Sequence, residues 1–154
     1  MKGDAKLIET LNSLLADELT AISQYMVHAE MCANWGYKKL HESFEKRAFT
    51  EMKHAEKLIE RIIFLEGKPI VSNLREMHIG SEVPNQLNND YALELNAVAA
   101  YNNAIKLAGE LNDNATRELL INILNDEDKH VDEIEQLKDQ INQLGIQLFL
   151  SAQI

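Results

Sequence analysis

Residues that stop a helix are scarce in this chain and fall far apart, which leaves room for little except long helices. Two prolines and six glycines occur in 154 residues, and the breaks fall at Gly36, Gly67-Lys68-Pro69, Asn112-Asp113-Asn114 and Gly145. The segments between them carry apolar residues at helical spacing. A first helix is predicted from about Asp4 to Trp35, with Leu7, Leu11, Leu14, Leu15, Ile22, Tyr25, Ala29 and Cys32 on one stripe. A second runs from about Lys38 to Glu66, with Leu40, Phe44, Ala48, Ala55, Leu58, Ile62 and Leu65. Pro84 suits a first helical turn and opens a third helix that ends near Leu111. A fourth spans about Ala115 to Leu144, and the apolar tail from Ile146 to Ile154 is a candidate for a short fifth. Residues 67–82 alone have no sustained period.

Two helix pairs with tight turns and one long connection describe an all-α four-helix bundle with a crossover between helices two and three. The 16-residue connection reaches roughly 50 Å when extended, and a 28-residue helix is about 42 Å long. The connection can therefore run the length of the bundle. Residues 1–154 are read as one domain, long enough for a single buried core.

Composition excludes several classes of function. With 25 acids against 15 bases the formal charge is −10. Such a chain suits cations better than the phosphates of a nucleic acid, so no nucleic-acid partner is expected. Cys32 is the sole cysteine, so neither a disulfide framework nor a thiolate metal site can form within the chain. No signal-like apolar stretch opens the sequence and no apolar run reaches 18 residues. A cytoplasmic protein with no membrane association is expected.

The informative residues are acids and histidines on the apolar stripes. Glu18 lies between Leu15 and Ile22, and Glu51 and His54 lie between Ala48 and Leu58. Glu94 lies between Tyr91 and Val98, and Glu127 and His130 lie between Leu124 and Ile134. A buried carboxylate without a partner is costly. Glu51/His54 and Glu127/His130 are both Glu-x-x-His, which puts both side chains on one helix face. Glu51 follows Glu18 by 33 residues, and Glu127 follows Glu94 by the same 33. Tyr25 and Tyr101 each follow their lone glutamate by seven. One Glu-x-x-His is commonplace on a solvated helix. Two, each at the same distance from a glutamate on an apolar stripe, are not. Climbing about 25 Å and descending about 20 Å brings all six groups near mid-bundle. Four carboxylates balance two divalent cations, two neutral imidazoles complete the shell, and oxygen-plus-imidazole donors suit iron or manganese. This is the known pattern of di-iron and di-manganese carboxylate bundles.

Over essentially its whole length the chain resembles the bacterioferritins, of the ferritin-like superfamily. The resemblance is carried by Met1-Lys2-Gly3-Asp4, Asn34-Trp35-Gly36, Glu51-Met52-Lys53-His54-Ala55, Phe64-Leu65-Glu66-Gly67, Leu93-Glu94-Leu95 and the Glu127…His130 pair. It implies iron storage in a homo-oligomeric shell of 24 subunits, with Fe(II) oxidised by oxygen or peroxide at a di-iron ferroxidase centre. Glu18, Glu51 and His54 match the centre's residues in one half, and Glu94, Glu127 and His130 match those in the other. Glu51 and Glu127 match the carboxylates that bridge two irons. The resemblance also implies a haem b shared between two subunits with Met52 as axial ligand, and an electron-donor ferredoxin as partner. Helix geometry agrees that Met52, one residue past Glu51, turns about 100° from the core, toward Leu19, Ile22, Met26 and Phe49. Tyr25, Tyr101 and Asp126 are candidates to orient the metal-binding groups. Where some members carry a histidine and an acid for a further iron on the inner surface, this chain has Lys46 and Thr50, which are poor iron ligands. The residues alone leave open a di-manganese catalase, a di-iron oxidase or a bundle without chemistry. A DNA-protecting mini-ferritin and a rubrerythrin fit less well, since the ligand set is complete in one chain and no Cys-x-x-Cys is present.

Overall fold

The computed structural model describes all of residues 1–154. Five helices follow in order: α1 (Ala5–Asn34), α2 (Lys38–Phe64), α3 (Val83–Glu110), α4 (Asn114–Leu144) and the short α5 (Ile146–Ser151). There are no strands, and every helix lies where the breakers place it. The termini show why. Asp4 caps α1 by accepting from the Lys6 and Leu7 amides at 2.8 and 3.2 Å. The Asp113 carboxylate does the same for α4, accepting from the Thr116 amide at 3.0 Å and the Thr116 hydroxyl at 2.7 Å. Helix α2 stops two residues earlier than the sequence suggests because Glu66, not Gly67, turns left-handed, at φ 63°.

Helices α1 and α2 pack as one hairpin and α3 and α4 as another, with α1 against α3 holding the two together. The core falls into two apolar clusters. One gathers Leu7, Leu11, Leu58, Ile62, Ala104, Leu120 and Ile123 at the end where α1 begins. The other gathers Tyr25, Cys32, Phe44, Leu87 and Phe149 at the opposite end, with α5 closing it. Each large side chain fully removed from water contributes about 1.5–3 kcal/mol. Between the clusters lies a layer of buried acids and histidines: Glu18, Glu51, His54, Glu94, Glu127 and His130. That layer costs stability unless something neutralises it.

The crossover, residues 65–82, has no helix or strand and is tied along α1 by polar contacts. Asn12 bonds the backbone at Lys68 and Ile70, and the Arg75 amide donates to Thr20 Oγ1 at 2.8 Å. Arg75 Nε reaches Asp17 at 2.9 Å. Further on, the His78 amide donates to Gln24 Oε1 at 3.2 Å and the Gly80 amide to His28 Nε2 at 3.0 Å. Gly80 passes so close to α3 that a Cβ there would sit 2.3 Å from the Gln86 nitrogen, which only glycine permits. No helix is long and apolar enough to cross a membrane.

Candidate metal centre

All six polar residues picked from the stripes converge at mid-bundle, one or two from each long helix. They form two overlapping groups whose donor atoms lie within 4.8 Å of one another: Glu18, Glu51, His54 and Glu127, and Glu51, Glu94, Glu127 and His130. Glu51 and Glu127 belong to both groups. The two imidazole rings lie 6.4 Å apart.

The donor atoms crowd together more than they bond. His130 Nδ1 lies 3.0 Å from Glu51 Oε1, and His54 Nδ1 lies 2.8 Å from Glu127 Oε1. Yet Glu51 Oε1, Glu94 Oε2, Glu127 Oε1 and His130 Nδ1 all lack a hydrogen-bond partner although they are shut off from water. Buried polar atoms are nearly always satisfied, and orphans gathered at one point mark a place built for something else. Carboxylate oxygens and imidazole nitrogens aimed at common points are the donor set of hard or borderline divalent cations.

Proton affinities agree. Burial pushes the Glu18 carboxyl well above the ordinary range, and the charge of Glu51 adds to the push. Glu127 is raised by burial first, then by Glu94 and Glu51. Glu51 is the exception: burial opposes its ionisation, but the close Glu18 carboxyl and the His130 and His54 rings outweigh that and hold it well below. Burial alone would lower both histidines, yet the carboxylates raise them. Glu127, Glu18 and Glu51 lift His54, and Glu51 and Glu94 lift His130 to about 9. Four carboxylates this close cannot all be ionised without positive charge among them. Cations binding here must displace protons.

Two tyrosines brace the cluster by crossing between the helix pairs. Tyr25 on α1 donates to Glu94 on α3, and Tyr101 on α3 donates to Glu18 on α1 at 2.5 Å. Asp126 lies 2.8 Å from His54 Nε2. A neutral ring donating there turns its Nδ1 lone pair toward the carboxylates.

Some buried polar residues escaped the sequence reading. Arg47 is buried on α2, stacks its guanidinium 5.5 Å from the Tyr25 ring centroid, and donates to Glu133 at 2.9 Å. Gln24, His28, Gln86 and Asp90 form a second buried polar group beyond Tyr25. Gln24 donates to Asp90 Oδ1 at 2.8 Å, and His28 Nδ1 lies 2.9 Å from the same oxygen. The signal was available, since Asp90 precedes Glu94 by four and His28 follows Tyr25 by three. Cys32 donates to Gln86 Oε1 at 3.3 Å, and burial pushes its thiol up to about 12, so it is a packing residue.

Met52 is half-buried on the flank of α2, in an apolar cavity of about 220 Å³ with Ile22, Met26 and Phe49. Leu19, expected there as well, packs instead against the cluster at the other end of the core. Met26 and Phe49 are 52% and 58% exposed, so this face is not covered by the chain itself.

Two further cavities flank the six residues. One, of about 260 Å³, lies under the crossover and is lined by Glu18, Glu51, Glu127 and Tyr101 together with Asp17, Glu76 and His78. The other, of about 540 Å³, opens between α2 and α4 and reaches His130.

Comparison with known proteins places the chain. Residues 8–144 match the family model for the ferritin-like domain. The bacterioferritin of Rhodobacter capsulatus is 40% identical over 149 residues, covering 97% of this chain and 92% of that one. The bacterioferritin of Mycolicibacterium paratuberculosis is 38% identical over 153 residues, covering 99% and 96%. That of Brucella melitensis is 37% identical over 145 residues, covering 94% and 90%. With the four-helix bundle, the crossover and the buried Glu/His layer all in place, the chain belongs to the bacterioferritins of the ferritin-like domain family.

Proposed function

We propose that this chain stores iron, oxidising Fe(II) at a centre held by Glu18, Glu51, His54, Glu94, Glu127 and His130. The oxidised iron is deposited inside a hollow shell of 24 copies. The observation that carries the reading is the convergence of these six side chains, with orphaned donor atoms, in a layer that separates two apolar clusters. Two Fe(II) ions are the substrate, and each gives one electron to oxygen or peroxide. The carboxylates compensate the extra charge of the ferric product, and Glu51 and Glu127, common to both groups, keep the pair together. At the crossover-side cavity Asp17 is paired with Arg75, which leaves Glu76, Glu18, Glu51 and Glu127 as the acids that favour the approach of cations there. As the ions arrive, the protons held by Glu18, Glu127 and the histidines leave.

A haem b would be held at the Met52 face, between two copies of the chain that each give one methionine. The supports are the half-buried thioether, the cavity it lines and the exposed Met26 and Phe49 around it. Thioether sulfur suits haem iron, so Met52 of each copy would hold the group, which would supply a one-electron couple at the subunit boundary. A ferredoxin is the class of donor that would reduce it for iron release.

The test is direct. The purified, iron-free protein is sized, its visible spectrum is recorded, and Fe(II) is added in air. The reading expects a large shell, a haem band, and a fast ferric absorbance phase that saturates near two irons per chain. No fast phase would overturn the ferroxidase reading. Rapid disproportionation of hydrogen peroxide by manganese-loaded protein, without iron uptake, would replace it with a di-manganese catalase.

A further inference from the structure

The repeat that duplicates the buried glutamates and histidines breaks down four residues before each Glu-x-x-His. Ile123 stands four residues before Glu127 and packs in the apolar cluster that holds Tyr101. Arg47 stands four residues before Glu51 and is only 3% exposed. Its guanidinium lies 5.5 Å from the ring centroid of Tyr25, whose hydroxyl donates to Glu94. No lysine and no other arginine is buried in the molecule. A fixed positive charge therefore borders the Glu94 and His130 half, and the Glu18 and His54 half has none. There Asp126, a carboxylate, lies 2.8 Å from His54 Nε2.

The charge on Arg47 is not cancelled where it sits. Its Nη2 donates to Glu133 at 2.9 Å, while its Nη1 has no hydrogen-bond partner. The Glu133 side chain is 42% exposed and also faces Lys129 at 3.8 Å, so one carboxylate serves two cations. Water screens the outer, negative end of this pair far better than the buried, positive end. Burial opposes the charge on Arg47, but Tyr25, Glu94 and Glu133 outweigh it and hold its proton more tightly than usual. A guanidinium keeps its charge at any working pH, unlike the histidines of the same layer.

We propose that Arg47 sets the order in which two divalent cations fill the centre, by weakening the Glu94 and His130 position so that the Glu18 and His54 position fills first. The inference rests on the proposed two-metal reading of the six residues. A poorly screened guanidinium offsets part of the negative potential that draws a cation to Glu94. Glu51 and Glu127 are common to both groups. Part of their charge is therefore already spent on the first ion when the second arrives, and Arg47 subtracts from what remains. Arg47 acts through its field, without touching either ion.

The experiment is a Co(II) titration of the assembled, metal-free protein, followed by calorimetry and visible absorbance. The wild-type chain is expected to take up two ions in two steps of unequal affinity. Arg47→Met keeps the bulk and removes the charge, and it tightens the second step by about tenfold, the scale of a unit charge several ångströms away inside a protein. Arg47→Lys keeps the charge and stays near wild type. Glu133→Gln strips the guanidinium of its partner and weakens the second step. Opposite signs from the two ends of one ion pair follow from a field, whereas a loosened fold would weaken binding in both. Circular dichroism checks the fold, and Arg47→Gln serves if Arg47→Met does not fold. An unchanged second step on loss of the charge, a tighter first step instead, or a shift in the same direction in Glu133→Gln overturns the proposal. Fewer than two Co(II) per wild-type chain would sink the two-metal reading and the inference with it. Two ions in wild type with no response at Arg47 would sink the inference alone.

Discussion

The two halves of the centre repeat the same residue types at the same spacing, but they are supported differently. His54 is sealed. Its Nδ1 faces Glu51 at 3.0 Å, Glu127 at 2.8 Å and Glu18 at 3.5 Å, and its Nε2 is tied to Asp126. His130 faces Glu51 at 3.0 Å, Glu94 at 3.4 Å and Glu127 at 3.9 Å, and it borders the open cavity between α2 and α4. Asp126 immediately precedes Glu127, whereas the residue immediately preceding Glu51 is Thr50, whose hydroxyl donates to the Lys46 carbonyl at 3.2 Å. The clustered glutamates and histidines are duplicated while the groups around them are not. The two histidines therefore differ in their settings: His54 is tied to Asp126, while His130 borders the cavity between α2 and α4.

That contrast can be broken or sharpened by experiment. The largest effect should come from the residues both halves share. Glu51→Ala or Glu127→Ala should slow fast Fe(II) oxidation by at least ~100-fold, beyond what losing an outer partner costs a metal site. Stopped-flow absorbance checks it, and a variant that keeps half of the fast amplitude would mean the carboxylates are not shared. Next, Asp126→Ala should weaken one of two divalent sites by about 10–100-fold, while Thr50→Val changes neither beyond about threefold. A Co(II) titration reads both, and equal losses would erase the asymmetry. Tyr25→Phe and Tyr101→Phe should each cost about 1–3 kcal/mol in denaturant unfolding of the metal-free protein, by leaving a buried carboxyl oxygen unsatisfied. Here the halves should match, because the two tyrosine braces are equivalent.

The smallest effect is a drift with pH. His130 is raised from 6.5 to about 9 in the folded metal-free chain, so its contribution to stability is full below 6.5 and is lost as pH rises through about 9. Glu18 and Glu127 are raised as well, and their contributions are likewise lost with rising pH. Glu51 is lowered, so its contribution persists above the ordinary carboxylate range and fails only in acid. The melting temperature of metal-free protein should therefore fall between pH 6.5 and 9.5. Metal-loaded protein should stay level, since the cations replace the protons.

Much of this molecule could be read from its residues. Helix limits were legible because Gly36, Asn112-Asp113-Asn114 and Gly145 interrupt strong periodicity, and the caps Asp4 and Asp113 act locally. The six polar groups were legible because a repeated spacing separates them from chance. Arg47 was not, since a lone cation on a helix flank usually snorkels to water. Its burial depends on Glu133 and Tyr25 reaching it from α4 and α1. The Gln24–His28–Asp90 group was missed for a related reason. Its partners include backbone amides of the crossover, a segment without periodicity to place it. Leu19 shows the resolution of angular arguments: a helical wheel gives direction, and only packing decides the neighbour.

The strapped crossover has a consequence for selectivity at the outer mouth of the centre. Arg75, Glu76 and His78 wall the cavity above Glu18, and the backbone there is pinned to Thr20, Gln24 and His28. A doorway framed this way has a fixed width. If the proposed iron chemistry takes place at the residues below, this mouth would admit a bare cation and turn away one still wrapped in a bulky chelator.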